Sequence, residues 1–199
     1  LDEKGLIPLP PYISRPGKQH TADDAVRYQT VYSRDKGSCA APTAGLHFTE
    51  DLLNSIKTKG VEIREVLLHV GPGTFLPVKT PDIREHTMHS EWIEISPETA
   101  DALNTSAGHK KRIVCVGTTS LRTIESCFKN GRIEPYKGFT DIFLHPPKTI
   151  RSADRLITNF HQPKSTLMML VSAFCGNDFI KQAYAYAVKN KMRFLSYGD

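Results

Sequence analysis

The residues best suited to chemistry lie in a polar stretch directly before an apolar segment that begins at Leu167. Because Ser165 or Thr166 can cap a helix over that segment, its N-terminal N–H groups would attract an anion. The same positive end would keep the imidazole of His161 neutral and able to accept a proton. A capped core helix behind a solvated loop explains the pattern about as well. The candidate substrate contacts or bases in this stretch are Asn159, His161, Lys164, Ser165 and Thr166.

A second candidate base is His47. It follows a run of small residues over 37–45, and small side chains let a ligand or another backbone approach closely. We therefore interpret His47 as a proton acceptor, with Thr43 and Gly45 as substrate contacts. The alternative is a histidine that only hydrogen-bonds a loop carbonyl.

A histidine and two glycines surround the end of the apolar segment that finishes at Val70. Open α/β sheets bind ligands beyond the C-terminal ends of their strands. The candidate substrate contacts here are His69, Gly71, Gly73 and Thr74. A Gly-Pro-Gly sequence alone is more often only a turn.

Hydroxyl residues also follow the apolar segment 112–117. Thr118, Thr119 and Ser120 are predicted to cap a helix that carries Arg122, and this would be another helix end that suits an anion. The segment lacks the P-loop signature and the glycine pattern of dinucleotide-binding folds. We therefore predict substrate contacts at these four positions without assigning either nucleotide site.

His86 and His89, followed by Glu91, are the residues that favour a metal site. The third ligand is ambiguous and no helical His-Glu-x-x-His arrangement is present, so we predict no metal site. We interpret both histidines as substrate contacts and Glu91 as the reserve base. A metal-dependent hydrolase that uses His86, His89 and a further histidine is the alternative enzyme.

Apolar periodicity and helix caps predict alternating helices and strands, which is typical of an α/β domain. Predicted helices cover 21–34, 49–59, 96–107, a segment from 118 through Glu125, 167–174 and 178–190; predicted strands cover 61–70, 92–95, 112–117, 138–144 and 156–157. The proline-rich residues 1–20 are expected to form an extended connector, followed by one domain over 21–199.

The chain has 199 residues and a formal net charge of +5, a moderate excess that suits a polyanion such as RNA without requiring one. The four cysteines are far apart and form no Cys-x-x-Cys pair, so we expect reduced and mostly buried thiols. No apolar run is long enough to cross a bilayer and no signal sequence is evident, so we expect a soluble cytoplasmic protein.

Several motifs together resemble one family, the S-adenosylmethionine:tRNA ribosyltransferase-isomerases of the queuosine pathway. The segments that carry the resemblance are 40–49, 69–75, 86–91, 117–122 and 156–174. The chain is similar to the later three-fifths of a family member. The resemblance implies a three-layer, Rossmann-like α/β domain with most of the family's small β-barrel domain absent. The sequence differs from the residues usual in this family at Cys39, at Gln162 and in the Pro146-Pro147-Lys148 turn.

The resemblance also implies a reaction. The ribosyl group of S-adenosylmethionine, a co-substrate, is transferred to 7-aminomethyl-7-deazaguanine at the tRNA wobble position and isomerised, giving epoxyqueuosine, adenine and methionine. No prosthetic group is expected, a monomer is favoured, and the tRNA anticodon arm is the expected partner. The predicted phosphate contacts are Arg15, Lys18, Arg27, Arg34 and Lys164. A non-catalytic RNA-binding module is the third possibility.

Overall fold

The computed structural model describes residues 9–10, 12–13, 22–71, 80 and 82–196. The α-helices are α1 (Ala22–Arg27), α2 (Glu50–Thr58), α3 (Pro97–Gly108), α4 (Thr118–Ser126), α5 (Thr166–Cys175) and α6 (Asn177–Lys189). Short 3₁₀ helices cover Thr43–His47 and Ile83–Glu85. The strands are β1 (Leu67–Leu68), β2 (Glu91–Ile95), β3 (Val114–Val116), β4 (Phe128–Lys129), β5 (Arg132–Ile133), β6 (Tyr136–Thr140) and β7 (Arg155–Ile157).

The described strands form three small sheets, which makes the fold a mixed α/β fold. The order β1-β2-β6 is antiparallel throughout, β4 and β5 form a hairpin, and β3 pairs with β7 in parallel. The predicted α/β class is confirmed at this level. The expectation that β1 ends at the edge of a parallel sheet is wrong, because its partner β2 runs antiparallel to it.

Helix starts follow the predicted side-chain caps at three places. Thr49, Ser96 and Ser165 accept hydrogen bonds from Leu52 N (3.1 Å), Thr99 N (3.2 Å) and Met168 N (3.1 Å). Each bond satisfies one of the N–H groups that a helix N-terminus leaves without an intrahelical partner. The predicted starts of α2, α3 and α5 are therefore confirmed.

The start of α4 differs from the prediction. Gly117 precedes it with φ of 89° and makes no side-chain cap, while Thr118, Thr119 and Ser120 lie inside the first turn. The Ser120 hydroxyl donates to Val116 O (2.8 Å). Because glycine reaches positive φ at no steric cost, the chain leaves β3 and enters the helix at once, without a hydroxyl cap.

The first helix is shorter than the predicted 21–34 and ends at Arg27. Gln29 Oε1 accepts the N–H of Thr30 (2.9 Å), and this local side-chain bond takes the place of a helical one. Tyr28 is 2% exposed, whereas Val26 and Val31 are 78% and 46% exposed. The predicted cap at position 21 lies outside the described residues.

Two predicted strands are shorter or displaced. Only Leu67–Leu68 of the segment 61–70 pairs as a strand, and Val61 is 55% exposed. The strand predicted over 138–144 lies at Tyr136–Thr140, because Thr140 Oγ1 accepts the N–H of Ile142 (3.2 Å) and the ladder stops there.

The β4–β5 hairpin was missed. Its turn residues Asn130 and Gly131 have φ of 50° and 82°, the left-handed values that an Asn-Gly hairpin turn requires.

The core lies between β2, β3, α4 and α5. Its buried residues include Ile93, Ile95, Cys115, Leu121, Ile124, Leu170 and Val171. Within α5, Leu170 and Val171 are buried, while the other apolar residues are half-buried or exposed. On α6, Ala187 is buried, whereas Phe179 and Val188 are 61% and 66% exposed.

The four cysteines are free. Cys115 and Cys127 are buried, Cys39 is half-buried and Cys175 is exposed, so the expectation of mostly buried thiols holds for only two of them. Across the described part of the chain, no helix combines the length and apolar character needed to cross a membrane.

Candidate active site

The C-terminal ends of the parallel strands β3 and β7 meet beside the start of α4. Val116 is paired with Ile157, and Gly117 N donates to Ile157 O (2.8 Å). A Cβ on Gly117 would lie 4.0 Å from the Cβ of Ala44, so the 3₁₀ helix Thr43–His47 packs against the same point. Three predicted segments therefore converge where parallel strands end, the position at which α/β sheets bind ligands.

Asn159 joins two of these segments. Its Oδ1 accepts a hydrogen bond from Thr43 Oγ1 (2.9 Å), and its Nδ2 lies 3.4 Å from His47 Nε2. Because Oδ1 faces Thr43, the amide N–H groups face His47, and a neutral imidazole there accepts at Nε2 and carries its proton on Nδ1. Asn159 is 8% exposed whereas His47 is exposed, so a buried amide orients an accessible imidazole.

His161 is held by two hydroxyl groups. Its Nε2 lies 2.9 Å from Thr158 Oγ1, and its backbone N–H donates to the Tyr184 hydroxyl (2.7 Å). Tyr184 in turn packs against Phe160 and Phe194, with ring centroids 5.2 and 5.9 Å away. Sequence reasoning missed this contact of Tyr184. The signal was a hydroxyl on an otherwise apolar helix face, since a buried tyrosine usually finds a partner for that group.

Glu91 and Arg122 form a buried ion pair, with 3% and 5% of each residue exposed. Glu91 Oε2 accepts from Arg122 Nη1, and Glu91 Oε1 accepts from Gly71 N (3.0 Å). This carboxylate therefore ties the loop after β1 to α4. Glu91, the reserve base of the sequence analysis, thus accepts hydrogen bonds from two donors. This arrangement suits a structural role better than proton transfer.

A small cavity brings the 86–91 segment together with α4 and the start of α5. Met88, Arg122, Phe143 and Thr166 are among its lining residues. The His86 ring packs edge-on against Phe143, with centroids 5.2 Å apart. These contacts bring the 86–91 segment close to α4 and to the start of α5.

The remaining predicted contacts have varied surroundings. Thr118 is buried, whereas Lys164 and His89 are exposed. A Cβ on Gly45 would lie 1.9 Å from the Tyr32 hydroxyl, so the space left by this glycine is filled by Tyr32. His69 is half-buried, and its Nδ1 makes no hydrogen bond with the described residues.

Some predicted contacts lie outside the described residues or have other partners. Gly73 and Thr74, with the phosphate candidates Arg15 and Lys18, lie outside the described residues. Arg34 forms an exposed ion pair with Glu65.

No three histidine, cysteine, aspartate or glutamate side chains come close enough to hold a metal ion within the residues that the structure describes. Among those residues, His86 and His89 therefore lack the third ligand that the hydrolase alternative requires.

The fold and site define a mixed α/β domain whose polar residues gather at the ends of a parallel strand pair. The family model described as Queuosine biosynthesis protein matches residues 1–199. The chain belongs to this family, as the motifs predicted.

Curated relatives carry the name S-adenosylmethionine:tRNA ribosyltransferase-isomerase. The protein from Clostridioides difficile (strain 630) is 55% identical over the whole chain and 57% of its own length. The one from Rickettsia bellii (strain OSU 85-389) is 54% identical over the whole chain and 56% of its own length. The chain thus spans somewhat more than half the length of these relatives.

A solved structure also resembles this chain. The crystal structure of S-adenosylmethionine tRNA ribosyltransferase from Thermotoga maritima has a TM-score of 0.64 and 44% identity. The match covers 78% of this chain and 50% of the other. The likeness supports a fold shared with that enzyme.

Proposed function

We propose that this chain is the larger, catalytic part of an enzyme that transfers and isomerises the ribosyl group of S-adenosylmethionine onto tRNA. The acceptor is 7-aminomethyl-7-deazaguanine at the wobble position, and the products are epoxyqueuosine, adenine and methionine. The observation that carries the proposal is the Thr43–Asn159–His47 network at the C-terminal ends of β3 and β7. The names of the 54% and 55% identical relatives agree with this chemistry.

The histidines are assigned to proton transfer. In this proposal the reaction begins when a carbon bonded to the sulfonium sulfur loses a proton. This step needs a base that is neutral near neutral pH, and an imidazole group meets that need. Asn159 fixes the orientation of His47, and the Thr158 hydroxyl fixes that of His161. In the tautomer that accepts from Asn159, Nε2 of His47 carries no proton, so Nε2 is the atom that would take the proton.

The contacts to S-adenosylmethionine and to tRNA are assigned from where each residue lies in the fold. Gly71, Thr118 and Arg122 line the donor side in this proposal, whereas the exposed side chains of Arg27 and Lys164 contact phosphates of the anticodon arm. S-adenosylmethionine is a co-substrate and no prosthetic group takes part.

The same proposal assigns the architecture and cellular context. Residues 21–199 form the catalytic domain with a three-layer, Rossmann-like plan, for which the parallel β3–β7 pair is the support, and residues 1–20 form the connector. The protein acts as a cytoplasmic monomer.

The test is a turnover assay with S-adenosylmethionine and tRNA that carries the 7-aminomethyl-7-deazaguanine precursor. We expect release of adenine, measured by chromatography, and formation of epoxyqueuosine within the tRNA, measured by nucleoside mass spectrometry. A matched assay with a full-length relative, such as the one from Clostridioides difficile, provides the reference rate. Binding of tRNA without either product, while the reference enzyme turns over, would support an RNA-binding module instead.

A further inference from the structure

Arg122 is only partly satisfied by the residues around it. Its Nη1 donates to Glu91, whereas its Nε and Nη2 atoms are buried and make no hydrogen bond with the described residues. These two atoms form one edge of the guanidinium group, and their N–H bonds point in parallel. Such an edge matches two oxygens of a planar anion, and leaving it unmet in a buried site is costly.

Arg122 is one of the residues that line the cavity between α4 and α5, whose volume is about 10 Å³. Thr166, the first residue of α5, lines the same cavity as Arg122. Because α5 is 10 residues long, its N-terminus carries the positive end of a complete helix dipole. The other walls are apolar and come from Met88, Phe143, Leu167 and Leu170.

We propose that this cavity binds the carboxylate of the methionine part of S-adenosylmethionine, with the Nε and Nη2 edge of Arg122 as its fork. The inference rests on the proposed function and names the group that the site recognises. The helix N-terminus of α5 offsets the negative charge that the carboxylate adds.

The chemistry of the cavity favours a carboxylate over a phosphate. A carboxylate has two oxygens, and the two N–H groups on one edge of a guanidinium can satisfy both. A phosphate has more oxygens and a larger charge, and apolar walls offer no donors to them. Glu91 already places one negative charge beside Arg122, and this further disfavours a multiply charged anion. A lysine in place of Arg122 would supply a point charge without the fork.

The experiment compares ligands that differ only in the carboxylate. Titration calorimetry on the wild-type chain would use S-adenosylmethionine and its decarboxylated analogue, then L-methionine and L-methioninol, with inorganic phosphate as a separate probe. We expect the two ligands that lack the carboxylate to bind at least about tenfold more weakly. The same series on Arg122→Lys should remove most of that difference. Arg132→Lys, at an exposed residue of the hairpin, is the matched control and should preserve it.

Several results would overturn the inference. They are equal affinity of the wild-type chain for S-adenosylmethionine and its decarboxylated analogue, an unchanged carboxylate preference in Arg122→Lys, and tighter binding of phosphate than of methionine. Absence of any methionine or S-adenosylmethionine binding would overturn it too. If carboxylate-dependent binding is found but no epoxyqueuosine forms in the turnover assay, the carboxylate site stands and the proposed function fails.

Discussion

Thr43 donates a hydrogen bond to the side-chain carbonyl of Asn159 over 2.9 Å, although 116 positions separate them in the chain. This contact decides which way the Asn159 amide faces and so which nitrogen of His47 it meets. Orientation of an imidazole by a buried partner is a common way to set its tautomer. The arrangement makes Asn159 a positioning residue for the base that the proposal assigns to His47.

Tyr184→Phe is expected to slow turnover while donor affinity stays close to that of the wild type. The substitution removes the hydroxyl that accepts the N–H of His161, which costs about 1 kcal/mol of stability and loosens the loop that carries the imidazole. Steady-state kinetics and urea unfolding would measure the two effects. Tyr186→Phe is the matched control, because Tyr186 is 65% exposed on the same helix. Equal kinetics for both variants would contradict a positioning role.

Glu91→Ala is expected to destabilise the fold strongly. It leaves the buried guanidinium of Arg122 without its charge partner and Gly71 N without an acceptor, and loss of one partner of a buried pair costs about 3–5 kcal/mol. Glu94→Ala breaks the exposed pair with Lys137 and should cost at most about 1 kcal/mol. Urea midpoints would compare them, and similar losses would mean that the buried pair contributes no more than a surface pair.

Thiol labelling should distinguish the cysteines. Burial raises the pKa of Cys115 from 9.0 to about 12 and that of Cys127 to about 11, so few thiolates exist at neutral pH. Cys175 is exposed, and we expect a thiol reagent to modify it before these two. Rapid labelling of Cys115 in the folded protein, followed by mass spectrometry, would contradict the buried position.

The same raised pKa values imply a pH dependence of stability. The folded state favours the protonated thiols, so their contribution is fully present below the unfolded pKa near 9.0 and is lost as the pH rises toward about 11 and 12. Urea unfolding of the wild type and of Cys115→Ala between pH 8 and about 10.5 would measure this difference. A stability difference that does not change with pH over that interval would contradict it.

Binding of tRNA is expected to weaken as salt increases, because lysine and arginine contacts release counterions from the phosphates. The slope of log affinity against log salt concentration should become smaller by about one for Arg27→Gln and for Lys164→Gln. Arg84→Gln is the control, since the exposed Arg84 is already held by Asp82. Filter binding over a salt series measures the slopes, and an affinity independent of salt would refute phosphate contacts.

Three helix caps were predictable from the sequence, and contacts between distant segments were not. The caps at Thr49, Ser96 and Ser165 involve residues three apart, so the pattern contains all the information that they need. The antiparallel partner of β1 depends on a strand more than 20 positions away, which apolar periodicity does not specify. The early end of α1 depends on one local side-chain bond at Gln29 that helix propensity does not include.

In the candidate site too, some residues were predictable from the sequence, whereas their contacts were not. Residue types identified His47, Asn159, His161 and Arg122, but the Glu91–Arg122 pair connects residues 31 apart and changes how Glu91 is interpreted. Tyr184 and His161 are 23 positions apart in the chain, so no local motif predicts their contact. Gly45 was expected to make room for a ligand, yet its space is taken by Tyr32 from an earlier segment.

The most direct measurement is single-turnover adenine release from S-adenosylmethionine bound with precursor tRNA, for the wild type, His47→Asn and His161→Asn. Loss of a general base typically lowers the rate about 100-fold or more, so at least one variant should show that loss with donor affinity within a few fold of the wild type. His109→Asn, at an exposed residue after α3, is the control and should react at the wild-type rate. Near-normal adenine release by both site variants would contradict the assignment of proton transfer to this site.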